Sequence, residues 1–188
     1  MEYNFSKENI VALLSESDPQ KIKRLYEDAF RTKVEHVGNK VYLRGLVEIT
    51  NICRKNCLYC GIRKENQNND RYEIDSEDVI AAAKFAYQQG YGSMVIQGGE
   101  RNDKKFITKI TSILKQIREI DPESPLGITL SLGEQSLEVY QEWFEAGAHR
   151  YLLRIESSTQ ELFEKIHPVD ETHSFQTRLN ALKDLRRA

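Results

Sequence analysis

The spacing of apolar residues changes several times along the chain. Ile22, Leu25, Tyr26, Ala29 and Phe30 recur at three- and four-residue intervals, which places them on one face of a helix. Asp18-Pro19 just ahead offers a cap and a proline suited to the first helical position, and Gly38 marks where the pattern fades. Ser6 is placed to cap a shorter helix through Leu14. These two helices read as an N-terminal extension over residues 1–40. From Val41 to Thr50 the residues become β-branched and apolar, interrupted by Arg44-Gly45, and predict a strand. Three more short apolar runs follow: Met94 to Gln97, Gly127 to Ser131, and Arg150 to Arg154. Helical patterns separate them. One is capped by Asp75 and Ser76 and ends at Gly90. One is capped by Asn102 and runs to about Ile120, and one spans Ser136 to Ala146. Two more helical stretches follow the fourth strand, around Gln160 to Ile166 and from Ser174 onwards.

Strands that alternate with amphipathic helices predict an α/β fold with a parallel sheet and right-handed crossovers. Residues 41–188 would form this unit. Four β-loop-α repeats are too few to close an eight-stranded barrel, and a last parallel strand left as a bare edge is unusual. The pattern therefore predicts the front half of a longer barrel. An open four-stranded domain, complete as it stands, is the alternative.

Composition narrows the class. The chain has 188 residues, 30% charged and 39% hydrophobic, with a formal net charge of -2. That balance gives no electrostatic reason to expect a nucleic acid or a membrane as partner. No apolar run is long enough to span a bilayer. The N-terminal stretch is charged and lacks the apolar core of a signal peptide, so the expected location is the cytoplasm.

All three cysteines fall in one stretch, EITNICRKNCLYCG, Glu48 to Gly61. An odd count argues against a disulfide framework, and a reducing compartment would leave Cys53, Cys57 and Cys60 as free thiols. A structural zinc site usually takes four ligands, and no histidine stands at zinc-finger spacing from these three. A 4Fe-4S cluster held by three thiolates instead keeps one iron without a protein ligand, open to a small molecule. The loop follows the first strand, at the sheet end where α/β folds place their chemistry. Such an open iron suits chelation of the amino and carboxylate groups of S-adenosylmethionine (SAM), whose reductive cleavage yields a 5′-deoxyadenosyl radical. Zinc or incidental thiols are the plainer alternative.

The run VYLRGLVEITNICRKNCLYCGIRKEN, Val41 to Asn66, resembles the radical-SAM maturases of iron-iron hydrogenase, the HydE-type family. So do IQGGE (Ile96 to Glu100), ITLSLGE (Ile128 to Glu134), AGAHRYLLRIE (Ala146 to Glu156) and the stretch from His167 to Ala188. The resemblance implies a biotin-synthase-like, TIM-barrel-like radical-SAM (β/α) barrel that uses a 4Fe-4S cluster on Cys53, Cys57 and Cys60. It implies that Tyr59 lies against the adenine of SAM, and that Gly98, Gly99 and Glu100 hold the methionine amine. The glycines would allow close backbone approach, and a carboxylate suits an ammonium. It places Ser131, Glu156 and Arg178 around SAM, and Gln97, Thr129 and Arg154 on the substrate side. Thr129 and Ser131 alternate with Ile128 and Leu130 and so share a strand face. Arg154 and Glu156 are expected to share a face at the end of the fourth strand. Glu134, Trp143 and His149 are expected to be structural. With no cysteine after Cys60, no accessory cluster is expected.

The same resemblance implies a role in building the organometallic cluster of the hydrogenase. The substrate would be a small organometallic or amino-acid-derived molecule. The partners would be a radical-SAM tyrosine lyase, a scaffold GTPase, and ferredoxin or flavodoxin as electron donor. The rival readings are another biotin-synthase-like radical-SAM enzyme, such as methylornithine synthase, and a truncated, non-catalytic metal-binding module. Substituting Cys57 with alanine leaves two thiolates, too few to hold the cluster. Iron and sulfide analysis after anaerobic reconstitution of this variant should return the blank value.

Overall fold

The computed structural model describes residues 4–188. It divides into two compact units, one up to Tyr42 and one from Leu43 to Ala188. The first unit holds two helices, α1 (Lys7–Leu14) and α2 (Pro19–Val37). Ser6 caps α1, its side chain accepting from the Asn9 amide, and Asp18 caps α2 by accepting from Gln20. Pro19 sits at the first helical position, where its missing N–H is not needed. Gly38, at φ 75°, ends α2.

The second unit runs β1 (Gly45–Thr50), α3 (Ser76–Gln88), β2 (Ser93–Gly98), α4 (Lys104–Arg118), β3 (Gly127–Ser131), α5 (Leu137–Glu145), β4 (Ala148–Tyr151), α6 (Gln160–Ile166) and α7 (Phe175–Arg187). The four strands form one parallel sheet in the order β1-β2-β3-β4. Each crossover carries a helix, as parallel neighbours require.

One face of the sheet meets the helices. Ile49, Met94, Ile96, Ile128 and Leu130 point into this layer and are almost fully buried. They meet Val79 and Ala83 from α3, Trp143 from α5, and Phe106, Ile110, Ile113, Leu114 and Ile117 from α4. The α4 residues recur at three- and four-residue spacing, which gives that helix its single apolar stripe. The opposite sheet face carries Leu46, Glu48, Val95, Gln97, Thr129 and Ser131, alternating with the core residues as strand geometry requires.

Three boundaries differ from the sequence expectations. The first strand starts at Gly45, not Val41. Its first partner is Met94 near the start of β2, so the four residues before it have nothing to pair with, and Val41, Tyr42 and Leu43 are exposed. Asp103, not Asn102, caps α4, its Oδ1 accepting from the Phe106 amide at 3.0 Å. The fourth strand spans Ala148–Tyr151 and not Arg150 to Arg154. Its pairing begins at Ala148 opposite Ile128, the register shifts between Ile128 and Thr129, and one further hydrogen bond, from the Leu152 amide to the Leu130 carbonyl at 2.8 Å, ends the ladder.

Ile96 lies mid-sheet and fully buried. Ile96→Ala should cost about 2–5 kcal/mol, as deletions of buried aliphatic side chains do, and should lower the urea midpoint of unfolding.

Candidate active site

The cysteine loop leaves the C-terminal end of β1 and has no regular secondary structure between Asn51 and Tyr72. Its backbone groups must therefore find partners elsewhere. Arg71 supplies many of them. Its guanidinium donates to the carbonyls of Asn51 (2.6 Å), Ile62 (2.9 Å), Arg63 (2.7 Å) and Asn66 (3.0 Å). Asn51 closes the base of the loop, its side chain bonding to the Asp70 carbonyl and the Tyr72 amide.

Gly99 seats the loop against the sheet. A Cβ there would stand 2.2 Å from the Ile52 carbonyl oxygen and 2.9 Å from Cys53 Cα. The close approach expected of this glycine is thus made to the cysteine loop itself. Just beyond it, the Glu100 amide donates to Cys53 Sγ at 3.3 Å, and the Arg54 amide donates to the Glu100 carbonyl at 2.9 Å.

The far side of the loop rests on the segment joining α6 and α7. The Leu58 amide donates to the Ile166 carbonyl at 3.0 Å, and the Asn56 amide to His173 Nε2 at 2.9 Å. Tyr59 Oη lies 3.2 Å from His167 Nε2. His167 Nδ1 stands 2.8 Å from the Phe163 carbonyl, so that nitrogen carries the proton and Nε2 accepts from the tyrosine. Phe163 stacks on the His167 ring at 3.9 Å.

Beneath the loop lies a charge network. Lys55 Nζ meets Glu134 Oε2 at 2.8 Å, Glu100 Oε1 at 3.5 Å and the Thr172 carbonyl. Arg54 donates to Glu100 Oε1 from Nε and Nη2, both at 2.8 Å. Arg178 bonds Glu134 and the Arg154 carbonyl, and the Glu134 amide donates to Glu100 Oε2 at 2.8 Å. Gly133, at φ 77°, makes room for this arrangement, because a Cβ there would lie 2.3 Å from Glu100 Cγ. Burial pushes the Glu134 carboxyl upward, but Lys55 and Arg178 outweigh it and hold Glu134 below its usual range.

The three thiols are partly buried and free of disulfides. Burial pushes the Cys53 and Cys57 thiols up; Tyr59 and Arg178 pull Cys57 back in part, and each thiol feels the charge of Cys60. Burial and then the neighbouring Cys57 push the Tyr59 hydroxyl well above its usual value. Among the described residues no three His, Cys, Asp or Glu side chains converge as a single metal ion would require. Three free thiols on one loop are the donor set that a 4Fe-4S cluster takes, so the residues present fit that group.

Beside the loop, on the open sheet face, is a cleft of about 340 Å³. Cys60, Gly98, Gln97, Ser131 and Arg154 line it, with Glu48, Thr50, Asn51 and Tyr72. Gln97 Nε2 donates to Glu48 Oε1 at 2.6 Å. Thr129 shares the face of Ser131 but is buried, and neither it nor Tyr59 lines the cleft. Three placements depart from expectation. Glu100 has both carboxylate oxygens engaged by Arg54, Lys55 and the Glu134 amide, so its side chain faces the network. Arg178 is buried in the same network. Arg154 and Glu156 do not share a strand face, because β4 ends at Tyr151 and Glu156 takes a left-handed conformation at φ 59°. Only Arg154 reaches the cleft.

The sequence reading assigned no role to Lys55, Glu48, His167 or His173, and treated Glu134 as structural. For Glu48 a signal existed: a carboxylate on the Thr50 face of an otherwise apolar strand. Two of the partners of Lys55 lie 79 and 117 residues away, and no local pattern marks them.

Comparison with known proteins sets this site in context. The profile of the radical SAM superfamily matches residues 47–188. The chain belongs to the radical SAM superfamily. That superfamily comprises enzymes using a 4Fe-4S cluster and SAM. The [FeFe] hydrogenase maturase subunit HydE of Thermotoga maritima is 38% identical over 183 residues, 97% of this chain and 50% of that protein. The biotin synthase of Magnetococcus marinus is 30% identical over 168 residues, 87% of this chain and 50% of that protein. The crystal structure of methylornithine synthase superposes with a TM-score of 0.81 at 22% identity, over 98% of this chain and 53% of the other, a likeness of fold. The chain spans about half the length of the curated relatives it matches, and its four strands form part of a barrel.

Gly99→Ala forces the Ile52 carbonyl to move. It should cost about 1–3 kcal/mol, as overpacking does, and reduce iron retained on the loop. Gly61→Ala, where a Cβ meets nothing within 4 Å, should leave both near wild type. Urea unfolding and iron analysis of the two variants check this.

Proposed function

We propose that this chain carries the cluster end of a radical-SAM enzyme acting in maturation of iron-iron hydrogenase. The observation that carries the reading is the joining of a three-cysteine loop, fastened at the C-terminal end of β1, to a cleft bearing Gln97, Ser131 and Arg154. Cys53, Cys57 and Cys60 would hold the cluster. When bound, the cluster and SAM supply a 5′-deoxyadenosyl radical by reductive cleavage of the sulfonium.

The remaining work falls to the chain's own residues. The backbone at Gly98 and Gly99, with Ser131, Tyr59 and Glu156, would orient SAM. Gln97, Thr129 and Arg154 would face the substrate, with Arg154 offering a planar fork to a carboxylate. Glu100 and Arg178, assigned to SAM with Ser131, Tyr59 and Glu156, also brace the loop from the buried charge network. A small organometallic or amino-acid-derived substrate, ferredoxin or flavodoxin as donor, the partner maturases and a cytoplasmic location belong to this reading. Its support is the likeness to HydE. No helix among the described residues is long and apolar enough to cross a membrane.

Electron paramagnetic resonance of the anaerobically reconstituted, reduced protein tests the first half of the reading. A cluster signal that changes on adding SAM is expected, and a signal indifferent to SAM would sink the open-iron assignment. Deletion in the source organism tests the second half. Hydrogenase lacking activity, restored by the gene, is expected; full hydrogenase activity without the gene would redirect the assignment to another biotin-synthase-like reaction.

A further inference from the structure

We propose that Lys55 is an internal cation that raises the reduction potential of the cluster held by its neighbouring cysteines. The inference rests on the reading that Cys53, Cys57 and Cys60 carry a 4Fe-4S cluster, and concerns the chain's own charges around it.

Lys55 stands midway between Cys53 and Cys57 in sequence, yet its side chain is turned inward and only 4% exposed. Buried lysines are rare unless paired. This one faces three acceptors, Glu134, Glu100 and the Thr172 carbonyl. The ammonium donates to Glu134 and the Thr172 carbonyl and pairs in charge with Glu100, so the charged form is well matched.

The network as a whole does not balance. Three cations, Arg54, Lys55 and Arg178, face two carboxylates, Glu100 and Glu134, which leaves one positive charge in excess. Lys55 and Arg178, with side chains no more than 8% exposed, match the two carboxylates, and the charge in excess is the more exposed Arg54. Solvent screens the buried Lys55 charge itself only weakly.

Reduction of the cluster takes one electron from an external low-potential donor. It breaks no bond and adds one negative charge. The buried Lys55 ammonium, carried on the loop between two of the cysteines, therefore favours the reduced state. Glu134 opposes Lys55, so removing either charge must move the potential in opposite directions. A merely structural fastening would not give that opposition.

The test is a potentiometric titration, followed by electron paramagnetic resonance, of the anaerobically reconstituted protein isolated at the length the cell makes it. Lys55→Met should lower the ratio of reduced to oxidised cluster at a fixed ambient potential about tenfold, equivalent to about 59 mV for one electron. Glu134→Gln should raise the ratio by a similar factor, and Lys55→Arg should stay close to wild type. Shifts of the same sign in the first two variants, or no shift in either with iron and sulfide loading intact, overturn the inference. Where Lys55→Met fails to hold the cluster, Glu134→Gln and the more exposed Arg54→Met decide. Upward and downward shifts respectively support the inference, and any other pair of results overturns it. A wild-type protein that takes up no cluster overturns the functional reading instead.

Discussion

The site depends on one buried contact, the Lys55 ammonium between Glu134 and Glu100. The cysteine loop crosses about twenty residues without a helix or a strand, and nothing in its own backbone fixes where it sits. Lys55 ties it to the ends of β2 and β3, where the two carboxylates stand, and through the Thr172 carbonyl to the segment before α7. Breaking a buried pair of this kind is strongly unfavourable, because the partner left behind is an unmatched charge far from water. The ion pairs therefore confine the loop to one placement, and the hydrogen bonds of Asn56, Leu58 and Tyr59 to the α6–α7 segment refine it. Arg178 extends the same network to the Arg154 carbonyl, so the chain just after β4 is fixed by the charges that fix the cysteines.

The two faces of the sheet divide the labour. The helix-covered face is closely filled and apolar, and gives the strands their rigidity. The other face presents Glu48, Gln97 and Ser131 in register on three adjacent strands, with Arg154 beyond them. Because side chains alternate along a strand, a shift of one residue in any strand would exchange a core aliphatic for a cleft polar group. Burial of Ile49, Ile96 and Leu130 thus specifies, at the same positions, which side chains face the cleft.

Much of this was legible in the sequence. The alternation of strands and amphipathic helices marked the parallel sheet, and the cysteine spacing marked the loop. The alternation of Thr129 and Ser131 with Ile128 and Leu130 marked the face. What was not legible depends on long-range geometry. The fourth strand lies earlier than its residue types suggest because its pairing with β3 begins at Ala148, opposite Ile128, and no residue type announces a register. Gly99 reads as a turn glycine, but its need comes from Ile52, nearly fifty residues earlier. Glu100 reads as a free carboxylate at a strand end, and only the fold shows it already claimed by Arg54 and Lys55. Glu156 reads as strand by position, but its left-handed backbone takes it off the face that Arg154 reaches.

Arg71 has a consequence for how the loop meets iron. Its guanidinium collects carbonyls from both sides of the cysteine stretch, the work that a strand partner or a bound ion does in other proteins. The turn that carries the thiols is therefore shaped in part by the polypeptide itself. In small zinc domains ligand binding and folding are a single event, and removing the metal unfolds the chain. Here the Arg71 guanidinium supplies part of that organisation from within the chain, so part of the conformational entropy of ordering the loop is offset by the chain's own hydrogen bonds and not by ligand bonds alone.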